Sequence, residues 1–437
     1  MYSTPPASPT PVLDKRLEIA RGEIHRRLGD VINATETAGM NREELETEIA
    51  TITSELVRQL DLQLSGHEEA RLRELIVDDA LGLGPLEALV RDPNVSDILV
   101  NGPDSVFVER SGRLQKAEVT FRDRHHVMNV ATRICSKVYR RVDESNPMVD
   151  ARLEDGSRVN VIIPPLALDG PYISIRKFAK RPITLETMAN GGSITLQIAE
   201  LLAIAAACRL NIIIAGGTGA GKTTLLNAMS RHIDPGERVV TIEDAAELQL
   251  QQPHVLRHET RPANVEGEGE VNMRDLVRNS LRMRPDRIIL GEARGVEAFD
   301  MLQAMNTGHE GSMCTIHANR PREALARLEN MICMSGITLP GRAVRSQIAD
   351  AIDLVVQIKR CRDGIRRVTH VVEVIGMEHD VITTQELITF ESEGMGPDGR
   401  LKGGWTSSGV LPFFHRKARD FDLEERLREV MCYTDRP

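Results

Sequence analysis

The sequence predicts an α/β protein: a parallel sheet with helices on both faces, preceded by a smaller mixed α/β domain and a short helical region. Three observations carry that prediction. Residues 211–224 run from an apolar strand (Asn211 to Ala215) through a Gly-rich loop into a helix-compatible stretch. From Leu196 onward helix-like and strand-like stretches alternate, as a parallel sheet covered by helices requires. Between Val95 and Phe178 the apolar period is that of strands, broken by Asn-Gly and Asp-Gly turn signals.

In chain order, residues 1–12 are Pro/Ser/Thr-rich and read as a disordered tail. Residues 13–64 form an N-terminal helical region, with apolar residues at helical spacing (Leu17, Ile19, Ile24, Leu28, Ile32) and a fresh start at Asn41 followed by acidic residues. A small helical bundle used for docking is the expectation there. The mixed α/β domain spans 65–178. It comprises a helix at Leu72–Leu81, ended by Gly82-Leu83-Gly84-Pro85, then strands at Val95–Val100 and Ser105–Glu109 around an Asn-Gly turn. A helix at His125–Arg140, a hairpin of Val149–Leu153 with Ser157–Ile163, and a last strand at Tyr172–Phe178 complete it. Residues 179–195 read as a linker. The domain at 196–437 then alternates: helix Leu196–Cys208, strand Asn211–Ala215, helix Thr223–Arg231, strand Arg238–Glu243, helix Met273–Arg282, strand Arg287–Leu290, helix Val296–Asn306, strand Ser312–His317. Helices at Arg322–Met334 and Arg342–Ala351, a strand at Leu354–Lys359, a hairpin of Arg366–Ile375 with Val381–Phe390, and a charged helix from Leu423 follow.

Composition narrows the function. The 437 residues carry a net charge of −9, which argues against nucleic-acid binding over the whole chain. The six Cys are scattered with no C-x-x-C pair, so no zinc site of paired thiolates is expected, and free thiols fit a reducing compartment. No apolar run approaches the roughly 20 residues of a membrane span. No signal peptide is expected, since residues 1–11 are Pro/Ser/Thr-rich without an apolar core. A cytoplasmic protein is expected, reaching a membrane only through a partner.

The chemistry begins at Gly216-Gly217-Thr218-Gly219-Ala220-Gly221-Lys222-Thr223-Thr224, a G-x4-G-K-T loop between strand and helix. Its glycines turn backbone N–H groups toward phosphates, Lys222 supplies a point charge, and the Thr223 hydroxyl can ligate Mg²⁺. The positive N-terminus of the following helix serves the same anion. A nucleoside triphosphate, ATP, with Mg²⁺ is the expected ligand. Hydrolysis further needs acids near the metal and the attacking water. Two acidic stretches stand at strand ends, where α/β sheets bind ligands: Thr241-Ile242-Glu243-Asp244-Ala245-Ala246-Glu247, and Arg287-Ile288-Ile289-Leu290-Gly291-Glu292-Ala293-Arg294. The second runs from apolar residues into Gly-Glu, where many NTPases have Asp-Glu. A third stretch, Thr307 to Asn319, holds His309 and His317 around a short apolar strand, and His317 is a candidate sensor of the γ-phosphate. Arg257, Arg261, Arg274, Arg278, Arg282, Arg284 and Arg287 lie between or beside the acidic stretches. Arg forks match phosphate oxygens, and supply across a subunit interface is the natural use of so many; Arg282 is a candidate catalytic residue, and which of the arginines act across subunits stays open. In the preceding domain, Arg152, Arg158 and Arg176 are candidate phosphate contacts.

These four stretches, in this order, resemble the Walker A, Asp box, Walker B and His box of the secretion ATPases, the motors of type II secretion, type IV pili and type IV secretion. Asp97-Ile-Leu-Val-Asn-Gly-Pro-Asp, the run from Asp143 to Asn160, Ile162 to Pro171, and Glu259-Thr-Arg-Pro further resemble the CpaF/TadA-type branch, which powers tight-adherence (Flp) pili. The likeness covers roughly residues 65–425. It implies a homo-hexamer with a RecA-like P-loop NTPase core, the smaller N-terminal domain packed on it and ATP between the two. It assigns Glu292 to the Mg²⁺ site and Glu247 to the attacking water, and matches Arg152, Arg158 and Arg176 to basic positions facing the nucleotide. It implies inner-membrane platform proteins of a pilus or secretion machine as partners. The expected function is an ATP-driven motor for pilus assembly. A type IV secretion or conjugation traffic ATPase and a nucleotide-switched scaffold are the alternatives.

Overall fold

Ser65 shows how local chemistry sets an element boundary in this chain. Its hydroxyl accepts from Glu68 N while the Glu68 carboxylate accepts from Ser65 N. This reciprocal cap satisfies two donors that the first helical turn leaves open. The computed structural model describes residues 20–24, 42–110, 112–138, 140–153, 155–177, 183–261, 263, 268–336 and 339–432. The tail at 1–12, Leu17, Ile19, Leu28, Ile32, Asn41, linker residues 179–182 and Pro262 lie outside them. The chain divides into two compact units, Met1–Lys180 and Arg181–Pro437.

In the first unit, α1 (Arg42–Gln59) packs on α2 (Gly66–Leu81), burying Ile49, Leu56, Leu72 and Ile76 with Ala20 and Ile24. A short α3 (Glu87–Arg91) leads to a six-stranded antiparallel sheet of order β3-β2-β1-β6-β5-β4. Its strands are β1 (Val95–Asn101), β2 (Val106–Arg110), β3 (Arg113–Lys116), β4 (Met148–Arg152), β5 (Arg158–Ile162) and β6 (Tyr172–Arg176). Strand alternation puts Ile98, Val100, Val159, Val161, Ile173 and Ile175 on one face, where they share a core with Val127, Val130 and Ile134 of α4 (Arg124–Lys137).

The second unit opens with α5 (Leu185–Asn190), which lies inside the stretch read from sequence as linker. Thr184 caps it, and Leu185 and Met188 are buried in the unit's core. A six-residue helix is too short to show a helical period, so its apolar pair passed as linker. Thr195 caps α6 (Leu196–Ala207), which is apolar on nearly all sides and correspondingly buried.

The nine-stranded sheet has the order β15-β14-β13-β12-β7-β11-β10-β8-β9. Strands β7 (Ile212–Ala215), β8 (Val239–Glu243), β9 (Val255–Glu259), β10 (Arg287–Ala293), β11 (Met313–Ile316) and β12 (Leu354–Arg360) run parallel. β13 (Arg366–Glu378), β14 (Val381–Met395) and β15 (Leu401–Ser407) extend it antiparallel. The connecting helices are α7 (Lys222–Ser230), α8 (Met273–Ser280), α9 (Glu297–Asn306), α10 (Pro321–Met334) and α11 (Gly341–Ala351); α12 (His415–Asp420) and α13 (Glu424–Cys432) close the unit. This is the expected α/β class, with a RecA-like core. β3, β9 and β15 are additions to the elements read from sequence.

Buried polar groups fasten the amino ends of the strands. Asn211 Nδ2 donates to Ala351 O, and its Oδ1 accepts from Gly311 N and Ser312 N. One amide thus ties β7, β11 and the lead-in to β12. Arg287, fully buried, bonds both oxygens of Glu237 at 2.6 and 2.8 Å.

Candidate functional site

Because β7, β8, β10 and β11 are parallel, their carboxyl ends meet at one edge, and every motif of the second unit that follows a strand arrives there. At the end of β7 the loop turns through Gly219 (φ 67°) and Gly221 (φ 99°), conformations that L side chains rarely adopt. Gly216 is fixed by crowding: a Cβ there would lie 2.5 Å from Ile358 O of β12. Lys222 is the first residue of α7 and is only 8% exposed. Its ammonium donates to Gly216 O and Gly217 O, both at 3.1 Å, and lies 3.3 Å from His317 Nε2. Thr223 and Thr224 follow in the first helical turn, and Thr218 and Gly219 form the exposed tip.

From Lys222 a continuous chain of polar contacts crosses the sheet edge. His317, just after β11, places Nε2 2.9 Å from Glu292 Oε1. Glu292 Oε2 accepts from Arg294 Nη2 at 2.8 Å, and Arg294 Nη1 donates to Asp244 Oδ2 at 3.0 Å. Burial and the neighbouring Lys222 push the His317 imidazole below its ordinary pKa, outweighing the attraction of Glu292. At neutral pH the ring is therefore uncharged, and Nε2 has one role at a time: it accepts from Lys222 or donates to Glu292. The ring reads both the ammonium and the carboxylate.

Glu243 and Glu247, read together as acids, do different things. Glu243 is buried at the end of β8, and its carboxylate accepts from Glu247 N at 2.9 Å and Leu248 N at 3.0 Å. Burial raises its pKa to about 7, against the lowering by those two N–H groups. Gln249 N is in turn held by Asn227 Oδ1 of α7 at 2.8 Å. The loop carrying Glu247 is thus pinned to β8 on one side and to the P-loop helix on the other. Glu243 also explains Gly291: a Cβ at that position would lie 2.8 Å from Glu243 Cγ. Glycine stands where many NTPases carry Asp because the Glu243 side chain fills that space.

The arginines divide. Arg287 is a core ion pair with Glu237, so its expected availability to phosphate is corrected. Arg274 and Arg278 pair with Asp300. Arg282 is exposed and precedes β10; the adjacent Met283 O accepts from Arg238 Nε at the start of β8. That is the amino edge of the parallel strands, opposite the P-loop, so the structure does not bring Arg282 to Lys222 within one chain. His309 likewise precedes β11, with its backbone N bonded to Ala304 O. In the first unit, Arg152, Arg158 and Arg176 stand directly opposite one another across β4, β5 and β6, and Asp97 of β1 continues the row. Asp150 pairs with Arg158, and Asp97 with Arg176.

Comparison with known proteins identifies the family. The family model described as type II/IV secretion system protein matches residues 79–395. The chain belongs to this family of secretion ATPases. A putative conjugal transfer protein of Mycobacterium tuberculosis is 41% identical over 308 residues, 69% of this chain and 87% of the relative. The conjugal transfer protein TrbB of Rhizobium radiobacter is 32% identical over 321 residues, 72% of this chain and 95% of the relative. Among solved structures, the VirB11 ATPase of the Brucella suis type IV secretion system, in complex with sulphate, is 29% identical, covering 66% of this chain and 94% of that one with a TM-score of 0.36.

Three participants in the site were not singled out by the motifs. Arg294 was visible only as the last letter of a motif, and its bridging of Glu292 and Asp244 is a tertiary fact. Asn227 looked like an ordinary helix residue. Arg366, whose Nε donates to Gly219 O at 2.9 Å, comes from β13, almost 150 residues from the loop it touches. Its only sequence signal is the density of cations around it.

Proposed function

We propose that the protein is an ATP-hydrolysing hexameric motor that drives assembly of a tight-adherence or type IV-like pilus, or secretion of its subunits. The observation that carries the reading is the unbroken contact chain Lys222–His317–Glu292–Arg294–Asp244 beside the loop that carries Glu247, which is tied to the P-loop helix at Gln249. The residues present fit a Mg²⁺-nucleotide: a buried ammonium at the start of the P-loop helix bonds neutral carbonyls and lies beside an imidazole, where a phosphate can replace them, and Thr223 and Glu292 supply oxygen ligands of the kind Mg²⁺ takes. The metal, when bound, neutralises charge on the transferring phosphoryl group. Backbone N–H groups of residues 216–224 orient the phosphates, and Lys222 leaves the loop carbonyls for them. His317 Nε2 is then left to donate to Glu292, which couples the presence of phosphate to the acidic side. Glu247 orients the attacking water and accepts its proton.

In this reading Arg152, Arg158 and Arg176 are further contacts to the nucleotide phosphates. The work is delivered to platform proteins of the inner membrane from the cytoplasmic side. No helix among the described residues is long and apolar enough to cross a membrane. A second reading, a type IV secretion or conjugation traffic ATPase, is favoured by the relatives named for conjugal transfer. The two share the chemistry and differ in cargo.

The test is steady-state ATPase activity with molar mass by light scattering for the wild type, Lys222→Ala and Glu247→Gln. The expected result is turnover in a hexamer, near-complete loss in Lys222→Ala, and at least about a hundredfold loss of kcat with ATP binding retained in Glu247→Gln. Normal hydrolysis by Lys222→Ala would refute the site. An assembled wild type that binds ATP tightly without turnover would point to a nucleotide-switched scaffold.

A further inference from the structure

Strand β10 does not run regularly to its end. Ile289 and Leu290 lie opposite Met313 and Cys314 of β11, but the next pairing is Ala293 with Ile316, so Gly291 and Glu292 together face the single residue Thr315. This is a β-bulge, and a bulge re-aims the side chains at and beyond it. Its effect shows in the core. Leu290 and Ala293 are buried in the same apolar cluster although three residues apart, a spacing that regular strand alternation sends to opposite faces. Without the extra residue Glu292 would share the face of Leu290 and enter that cluster. With it, the carboxylate stands at the strand's end, against His317 Nε2 and Arg294 Nη2.

Two side chains hold the bulge from either side. Glu243 of β8 fills the space that a side chain at position 291 would need. From β11, Thr315 Oγ1 donates to Gly291 O at 2.6 Å. Thr315 is 1% exposed and lies in a strand, Met313-Cys314-Thr315-Ile316, that is buried throughout and otherwise apolar. A hydroxyl in such a place costs free energy unless it is bonded, and valine has the same shape without that cost. The hydroxyl is accounted for by the bond it makes, and that bond falls on the residue before Glu292.

We propose that Thr315 is a positioning residue for the hydrolytic site: its hydroxyl fixes the β10 bulge at Gly291 and so aims the Glu292 carboxylate. This rests on the reading of Glu292 as a ligand of the nucleotide's metal. Thr315 acts through the backbone of position 291 and not on the nucleotide directly. Binding of the nucleotide by the P-loop is therefore independent of it, whereas metal affinity and turnover are not.

The experiment titrates Mn²⁺, followed by its paramagnetic resonance, into the full chain carrying adenylyl imidodiphosphate, an ATP analogue that is not hydrolysed. The proteins are the wild type, Thr315→Val, Thr315→Ser, Glu292→Gln and the double variant of Thr315→Val with Glu292→Gln. Affinity for the analogue is measured separately in EDTA, and ATPase activity with Mg²⁺ alongside. Thr315→Val is expected to weaken Mn²⁺ binding and to lower kcat about tenfold each, with analogue affinity in EDTA unchanged. Thr315→Ser keeps the hydroxyl and recovers most of both losses. The double variant binds Mn²⁺ as Glu292→Gln does, because the hydroxyl acts through that carboxylate. Wild-type Mn²⁺ affinity in Thr315→Val, with a loss in Glu292→Gln, would sink this inference alone, even if stability and kcat both fell. No loss in Glu292→Gln would take the carboxylate out of the metal site, refuting the reading beneath and this proposal with it. Failure of Thr315→Ser to recover binding, or additive losses in the double variant, would overturn the role of the hydroxyl. If Thr315→Val does not assemble, Thr315→Ser against Thr315→Ala decides, since the two differ only in the hydroxyl; equal Mn²⁺ affinities would overturn the proposal.

Discussion

Glu243 is where a single side chain sets both the form of a motif and a pH dependence. Its carboxylate is out of water, and two N–H groups of the Glu247 loop compensate only part of the cost of its charge. With a folded pKa of about 7 against an ordinary 4.5, the folded chain holds this proton more tightly than the unfolded one. The stability that the proton contributes is complete below about pH 4.5 and is lost as pH rises through about 7. Glu243→Gln keeps an oxygen acceptor for the loop and removes the titration. Compared by urea unfolding between about pH 5 and 8, the wild type should lose on the order of 1–3 kcal/mol more than the variant. Superimposable pH profiles would show that burial does not control this proton. At the same scale, Gly291 illustrates what a motif can conceal. Gly-Glu in place of Asp-Glu looked like a departure from the pattern, and its cause is a neighbour on another strand.

At the scale of elements, the parallel strands are held at their amino ends by buried polar groups, among them the ion pair of Arg287 with Glu237. Arg287 also donates to Ala206 O at 2.7 Å, and Arg209 approaches Glu237 at 3.3 Å. Removing one partner leaves a buried charge poorly compensated, whereas removing both leaves an apolar site. Arg287→Met should therefore cost roughly 3 kcal/mol, and adding Glu237→Leu should recover a large part of it. Additive losses in urea unfolding would refute that coupling. The same arginine shows how far the sequence could be read. Strand–loop–helix alternation and the positions of Lys222, Glu292 and His317 were legible, because buried parallel strands are continuous apolar runs and the loop chemistry is local. The role of Arg287 was not legible, since burial is a property of the assembled sheet and seven nearby arginines look alike along the chain. β9 and β15 were missed for a related reason. Val255–Glu259 is a partly exposed strand without clean alternation, and Leu401–Ser407 carries Gly403-Gly404, so neither bears the apolar pattern of the strands it joins.

For the whole molecule, the decisive geometric fact is that the parallel sheet has two edges. Lys222, His317 and Glu292 occupy the carboxyl edge, and Arg282 the amino edge. If Arg282 serves hydrolysis, it must serve the site of another subunit, which makes the active unit an assembly rather than a chain. Mixing discriminates. Lys222→Ala subunits have an intact Arg282, and Arg282→Ala subunits have an intact P-loop. Each homo-assembly should be nearly inactive. Mixed assemblies contain junctions where one subunit's P-loop meets the other's Arg282, so mixing the two inactive proteins under conditions of subunit exchange should restore activity, up to roughly a quarter of the wild-type rate for random placement of independent sites. Full activity in Arg282→Ala alone would remove the residue from catalysis. Two inactive proteins that exchange subunits, shown by mass or energy transfer, and still recover nothing would mean that Arg282 does not act across the junction and that its loss is felt through the fold.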